Sequence, residues 1–382
     1  VPANVASRIE EIRTSNLSKP EKMQNIGVEI SNYANNLSDE ERQNFYNSMS
    51  DKAGKIQEEI ANQMEKTIIQ KLSINGNRVE YKNNGEVPGH VLNQFSMDEY
   101  NGYFRIATTS GSWQKERNNV YVLDGSLNNV GKLEDLVQGE KIYSARFIGD
   151  RLYLVTFKKT DPLFVISLES PSNPVVLGQL KIPGYSDYLH PYDETHIIGV
   201  GKSASEAEEG DFAWYQGVKI ALFDVSDVSN PREISNFSIG DRGTQSDALY
   251  DHKAFLFSKS KNLLVIPITL AEVDRSKYEG TVPSWAYGEQ VWQGAYVFRV
   301  TLDNGIQFRD RITHIANATK NEYGYADLPW EYQIRRSLYM DEVLYTFSDK
   351  MIKMNSLNDL SEMNKIGLPG QQYAEQPIPM PL

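Results

Sequence analysis

A short four-strand unit, repeated along most of the chain, limits the fold more than any other feature. Past residue 70 apolar residues alternate with polar ones in short runs split by turn residues, and no helix-length stretch interrupts them. Five similar turn-and-strand segments open with Tyr100-Asn101-Gly102, Gly149-Asp150-Arg151, Tyr192-Asp193-Glu194, Tyr250-Asp251-His252 and Met340-Asp341-Glu342. A further apolar strand follows each, as at Val120–Asp124, Leu163–Leu168, Val218–Asp224, Ala295–Val300 and Met351–Met354. Asn173-Pro174 and Asn230-Pro231 then lead into a fourth strand, where proline fits an outer position and not a central one. The turns are spaced by about 49, 43, 58 and 90 residues. The first two spacings match one propeller blade of about 40–50 residues. Insertions at 202–217 and 271–293 account for much of the excess in the other two. The pattern predicts a mainly β chain: a β-propeller of four-stranded antiparallel blades over 70–370, five of them visible and six or seven in total, with a tail at 371–382.

The first 69 residues read differently. Ser18 with Glu21, and Ser38 with Glu41, are capping boxes, and Pro20 suits a first helical turn. A third helical stretch is expected from Ser50, with Ile56, Ile60, Met64, Ile68 and Ile69 on or near one face. Residues 1–69 are therefore expected to be an all-helical insertion packed on or beside the propeller. Next, Asn75-Gly76-Asn77 marks a hairpin over 72–81, the outer half of one more blade. Its inner half would lie before the helices, where the chain begins, unless the helical region takes its place.

Composition narrows the functional classes. A net charge of −12 repels phosphate, so no nucleic-acid partner is expected. With no cysteine, thiolate metal sites, disulfides and Cys nucleophiles are excluded. No apolar run approaches the roughly 18–20 residues of a membrane span, and a chain opening on Val1 is compatible with a processed or trimmed product. The five histidines form no metal-binding or catalytic spacing, and Gly199-Val200-Gly201 has no helix after it. No cofactor is expected.

The candidate site lies on one face. In a four-stranded blade the loops after strands two and four emerge together, so both insertions land on the same side. The first carries Glu206, Glu208, Glu209, Asp211, Phe212, Trp214 and Tyr215; the second carries Trp285, Tyr287 and Trp292. Tyr and Trp supply contact area with a polar handle, which suits a platform for a cell-wall glycan, a peptide or an envelope protein. Ser186-Asp187 and Ser246-Asp247 occupy matching places in adjacent units, with Asp241-Arg242 just before the second. Carboxylates around a channel mouth could hold calcium, yet only two of five units have the Asp and no calcium-loop spacing is present. The same Asp187 and Asp247, with Glu208, are candidates for a two-carboxylate hydrolase of polysaccharide or peptide.

Four stretches also resemble a known family: Gly85–Tyr100, Tyr188-Leu189-His190-Pro191, Leu222–Asp227, and Pro283–Glu289 with Trp292–Tyr296. They are similar to secreted propeller proteins of archaea and Gram-positive bacteria, distantly related to WD repeats, over about residues 40–368. The resemblance implies a propeller in an exported or envelope-attached protein whose full-length members have more chain before this segment. It brings no activity, ligand or catalytic residue. The leading expectation is an extracellular or envelope binding or scaffold module. The alternatives are the hydrolase and a structural envelope-layer protein.

Overall fold

The computed structural model describes residues 2–111, 115–157, 161–182, 184–206, 213–315, 319 and 326–369. The chain divides into two compact units, Val1–Lys66 and Thr67–Leu382.

The first unit is helical: α1 (Ala3–Thr14), α2 (Lys19–Asn35) and α3 (Asp39–Met64). Both capping boxes form, with the Ser18 and Ser38 backbone amides donating to Glu21 and Glu41 at 2.9 and 3.0 Å. Tyr33 of α2 meets Phe45 of α3 edge to face at 5.2 Å. Two expectations need correction. No new helix starts at Ser50, because Ser50 and Asp51 lie exposed within the uninterrupted α3. The helical region ends at Met64 and not Ile69: β-branched Thr67, Ile68 and Ile69 already belong to a strand.

The second unit begins with a hairpin, β1 (Lys66–Asn75) and β2 (Arg78–Pro88), longer than expected but turning at Gly76-Asn77 as its sequence requires. Five four-stranded antiparallel sheets follow. Blade 1 holds β3 (Met97–Tyr100), β4 (Tyr103–Ser110), β5 (Arg117–Leu123) and β6 (Asn129–Leu136); blade 2 holds β7 (Lys141–Ile148), β8 (Arg151–Phe157), β9 (Asp161–Ser167) and β10 (Val175–Ile182). Blade 3 is β11 (Tyr185–Pro191), β12 (His196–Glu206), β13 (Ala213–Asp224) and β14 (Arg232–Ile239). Blade 4 is β15 (Leu256–Ser258), β16 (Leu263–Glu272), β17 (Glu289–Thr301) and β18 (Gly305–Ile312). Blade 5 is β19 (Arg336–Met340), β20 (Val343–Phe347), β21 (Met351–Ser356) and β22 (Glu362–Gly367).

Alternation along the middle strands stacks these sheets in chain order. Leu152 and Leu154 of β8 pack toward Ala107, Val120 and Val122 of blade 1, whereas Tyr153 and Val155 pack toward Ile197, Ala221 and Phe223 of blade 3. Likewise Leu264 and Ile266 of β16 face Ile198, Val200, Ile220 and Leu222, while Leu263 and Val265 face Leu344 and Leu357 of blade 5. With both faces covered, the inner strands read as nearly unbroken apolar runs.

A second repeat lies in the outermost strands. Each carries an extra residue opposite its partner at Val130, Leu177, Ile234, Arg309 and Met363, and β6 has a second irregularity before Leu136. In blades 1 to 3 the position just after this bulge, and in blade 4 the bulge residue itself, meets the next blade. At Gly131 and Gly178 an added Cβ would lie 2.0 and 2.1 Å from the carbonyl oxygens of Pro171 and Val228. In blade 3 the Ser235 hydroxyl accepts from the Ile306 amide at 3.0 Å. In blade 4 Arg309 donates to Leu357 O at 2.6 Å.

The fourth unit turns at a different place from the one its sequence suggests. The turn between its first two strands is at Lys259–Asn262, not Tyr250-Asp251. Residues 247–254 instead form two 3-10 turns before β15, capped by Ser246 and Asp251, and this capping chemistry imitates a hairpin turn. The correction shortens the interval that had been too long.

Replacing Gly131 or Gly178 by Ala is expected to lower stability by about 1–3 kcal/mol through overlap with the neighbouring blade's backbone. Gly27→Ala in α2, where an added methyl meets nothing within 4 Å, should be neutral or stabilising. Denaturant unfolding of the variants checks both; unchanged midpoints for the first two would contradict this blade contact.

Candidate functional site

The two insertions are shorter than their sequence suggests, because the strands run on beyond the sheet. Ala204 and Ser205 pair with Tyr215 and Trp214, and Ala271 pairs with Gln290. Trp214, Tyr215 and Trp292 are therefore strand residues. Glu208, Glu209, Asp211 and Phe212 lie outside the described residues.

The connection from blade 3 to blade 4 joins the two extensions. The Asp241 carboxylate accepts from the Val273 amide at 2.8 Å and from Arg275 at 3.1 Å, which pins the start of the second loop. Arg242 O accepts from Gly288 N at 2.7 Å and holds the end of that loop. The Arg242 guanidinium then lies 4.5 Å from the Trp214 ring and 5.7 Å from the Tyr287 ring. Its Nη1 is buried without a hydrogen-bond partner. Gln216 completes the bridge by donating to Ser284 O at 2.9 Å. A cation between two aromatic faces is held by ring electrostatics worth about 0.5–2 kcal/mol per contact.

Beneath this bridge is a cavity of about 330 Å³ lined by Tyr185, Asp187, Lys202, Tyr215, Gln216, Arg242, Gln245, Leu249, Tyr250 and Tyr287, together with the backbone of Gly243. Tyr215 is anchored in an aromatic cluster, its ring 5.1 Å from Tyr185 and 5.6 Å from Phe157. Tyr287 and Trp285 remain largely exposed, at 64% and 57%. Trp285 touches Tyr278 edge to face at 6.2 Å. Trp292 is placed elsewhere: it packs against the core between blades 3 and 4, beside Tyr296 and Arg311.

Asp187 owes its place to a bulge. The pairing of β11 with β12 slips between Ser186 and Tyr188, so Asp187 leaves the ladder. Bulges of this kind re-aim a side chain. Burial pushes its carboxyl up to about 7, against the pull of Lys202 and Lys141. The same burial pushes the Lys202 ammonium down to about 8, with Asp187 opposing. Lys202 Nζ donates to Thr244 O.

Asp247 follows the isolated bridge from Gln245 to Thr269, as Asp187 follows the pairing of Tyr185 and Ser186 with β12. In blade 4 the detour is longer, and the Asp247 carboxylate accepts from Tyr250 at 2.7 Å. A second depression of about 210 Å³ adjoins the first through Asp187, Leu249 and Tyr250, and is lined also by Asn93, Gln94, Phe95 and His252. Here Phe95, from the segment before β3, reaches Tyr188 and His252 at 5.5 and 5.0 Å under the Arg146 guanidinium at 4.4 Å. The inner edges of four blades thus meet on one aromatic ring. Among the described residues no group of three His, Asp or Glu side chains could hold a metal ion.

Among the residues lining the cavity, the sequence points to Arg242 and Asp187 but not to Lys202, Tyr185 or Gln216, and marks Tyr250 only as part of a turn. No local signal marks them, because their roles depend on residues tens of positions away.

Known proteins agree with this architecture. A family model described as a beta propeller domain matches residues 20–360. An uncharacterized protein of Methanocaldococcus jannaschii is 36% identical over 369 residues, covering 96% of this chain and 50% of that protein. Another from Archaeoglobus fulgidus is 38% identical over 267 residues, covering 70% of this chain and 40% of its own length. The chain thus spans about half the length, or less, of these relatives. Two solved structures are more distant. Apo AztD from Citrobacter koseri has a TM-score of 0.40 at 12% identity, over 75% of this chain and 63% of that one. The C-terminal WD40 domain of Sif2 has 0.39 at 9%, over 81% and 68%. The family assignment rests on the family model and the archaeal relatives: stacked four-stranded blades in chain order, with a helical segment before them, make this chain a member of the β-propeller domain family.

Proposed function

We propose that the chain is a binding module that takes a peptide segment of a partner protein in the cavity beneath the joined loops of blades 3 and 4. The observation that carries this reading is the bridge itself: Arg242 between Trp214 and Tyr287, with Gln216 on Ser284, turns two loops of separate blades into one wall. The cavity offers groups of both signs, Asp187 against Lys202 and Arg242, beside exposed aromatic rings. Peptides carry charges of both signs and extended backbone, whereas neutral glycans leave such buried charges unanswered. An exported or envelope setting completes the proposal and is supported by the resemblance described above. No helix among the described residues is long and apolar enough to cross a membrane.

One observation supports hydrolysis as a second reading. A carboxyl raised to about 7 suits a general acid near neutral pH. The binding reading is preferred because Asp247 is engaged by Tyr250 and lines neither depression.

Short random peptides displayed on phage and selected on the intact chain should bind at this wall. Tyr287→Ala and Arg242→Ala are each expected to weaken the selected peptides by about 30-fold, the size of an interface hot spot. Met363→Ala, on the outer strand of blade 5, should leave them unchanged. Peptides indifferent to both changes would overturn the proposal, as would binding confined to a glycan array.

The charge of Asp187 makes a separate prediction. Its folded carboxyl is raised above the unfolded value, so the folded state holds the proton more tightly and loses stability as pH rises from about 4 to 7. His190 and His314, pushed down to about 4 by burial, act in the opposite sense but are shared by both proteins compared. Asp187→Asn should therefore gain stability relative to the native chain between pH 5 and 7.5 in urea unfolding. A constant difference across that range would contradict the burial of this carboxyl.

A further inference from the structure

Among the described residues the hairpin β1–β2 is half a blade: five sheets in this unit have four strands, and this one has two. Its position is that of an outer half. Lys71 Nζ donates to Gly125 O at 2.6 Å and Asn83 Nδ2 to Ser126 O at 2.5 Å, both in the turn joining the third and fourth strands of blade 1. Gly85 of β2 lies so close to Leu127 that a Cβ would meet it at 2.8 Å. Ile69 and Val87 share a core with Ile106, Tyr121 and Leu123. Outer half thus rests on outer half, as between the complete blades.

Beyond the β1 edge, where the first two strands of a blade would lie, is a cavity of about 540 Å³. One wall is Ile69–Leu72 of β1; blade 1 supplies the β3–β4 turn with Tyr103 and Phe104, and Asp124, Gly125 and Leu127 of the turn after β5. The first and second strands of blade 1, on which an inner half would pack, thus form part of the wall. Ile68, Leu72 and Ile74, which alternate with Ile69 and Lys71 along β1, are exposed, as are Val79 and Tyr81 of β2. A strand edge beside a cavity can take another strand by extending the ladder.

We infer that the β1 edge is a strand-accepting site whose occupant is a two-stranded polypeptide hairpin, antiparallel to β1 and apolar at alternate positions, which brings this sheet to four strands. The archaeal relatives point to its source: half or more of each lies outside the part this chain matches. The hairpin comes from that additional polypeptide.

Amide hydrogen exchange on two intact proteins tests this: the 382-residue chain and the Methanocaldococcus jannaschii relative. In the chain, held monomeric as checked by sedimentation, about half of the amides in 66–75 should exchange at least 100-fold faster than those of β8 and β9. In the relative the aligned strand should be as protected as the central strands of the other blades. Fast exchange of that strand in the intact relative would overturn the inference. So would full protection in the monomeric chain, which would mean that the chain covers its own edge. Protection that grows with protein concentration would assign the edge to a second copy and would equally count against it.

Discussion

Backbone-to-backbone seating between neighbouring blades is the contact on which this structure depends. Sheets stacked face to face must sit close enough for their apolar faces to interdigitate without voids. At the outer edge that closeness is set where a turn of one blade rests on the strand behind it. Gly131 and Gly178 leave no room for a side chain there, Gly305 comes equally close to Ser235, and Ser235 and Arg309 each form a hydrogen bond across the contact. The bulge just before Gly131, Gly178 and Ser235, and at Arg309 itself, twists the outer strand and breaks the regularity of its free edge, which blunts edge-to-edge association.

The candidate site uses the same device at the inner edge. A bulge in β11 turns Asp187 out of the ladder, and an enlarged detour in blade 4 carries Asp247 and Tyr250. The scaffold is otherwise regular, so these departures place polar groups where a regular strand would bury apolar ones. Desolvation then moves Asp187 and Lys202 toward their neutral forms, against the attraction of each charge for the other. Arg242 stacks on aromatic rings in the same wall, which suits a weakly hydrated guanidinium.

Much of this was legible along the chain, and the misreadings are informative. The helix caps, the turn at Gly76-Asn77 and the alternation of β8 and β16 each follow from residues a few positions apart. The false turn at Tyr250-Asp251 arose because a 3-10 detour uses the same capping chemistry as a hairpin. Trp292 looked like a loop aromatic because nothing local shows that β17 begins at Glu289, and the strand carries the ring into the core.

The amino-acid order by itself determined the period of two, the repeat of four strands and the places where the chain turns, because steric and capping preferences act between near neighbours. Only the tertiary structure decided that Arg242 stands between Trp214 and Tyr287, that Asp187 is desolvated, and that a cavity lies between β1 and blade 1. Burial and long-range charge depend on which distant segments become neighbours, and that is set by the stacking of whole sheets.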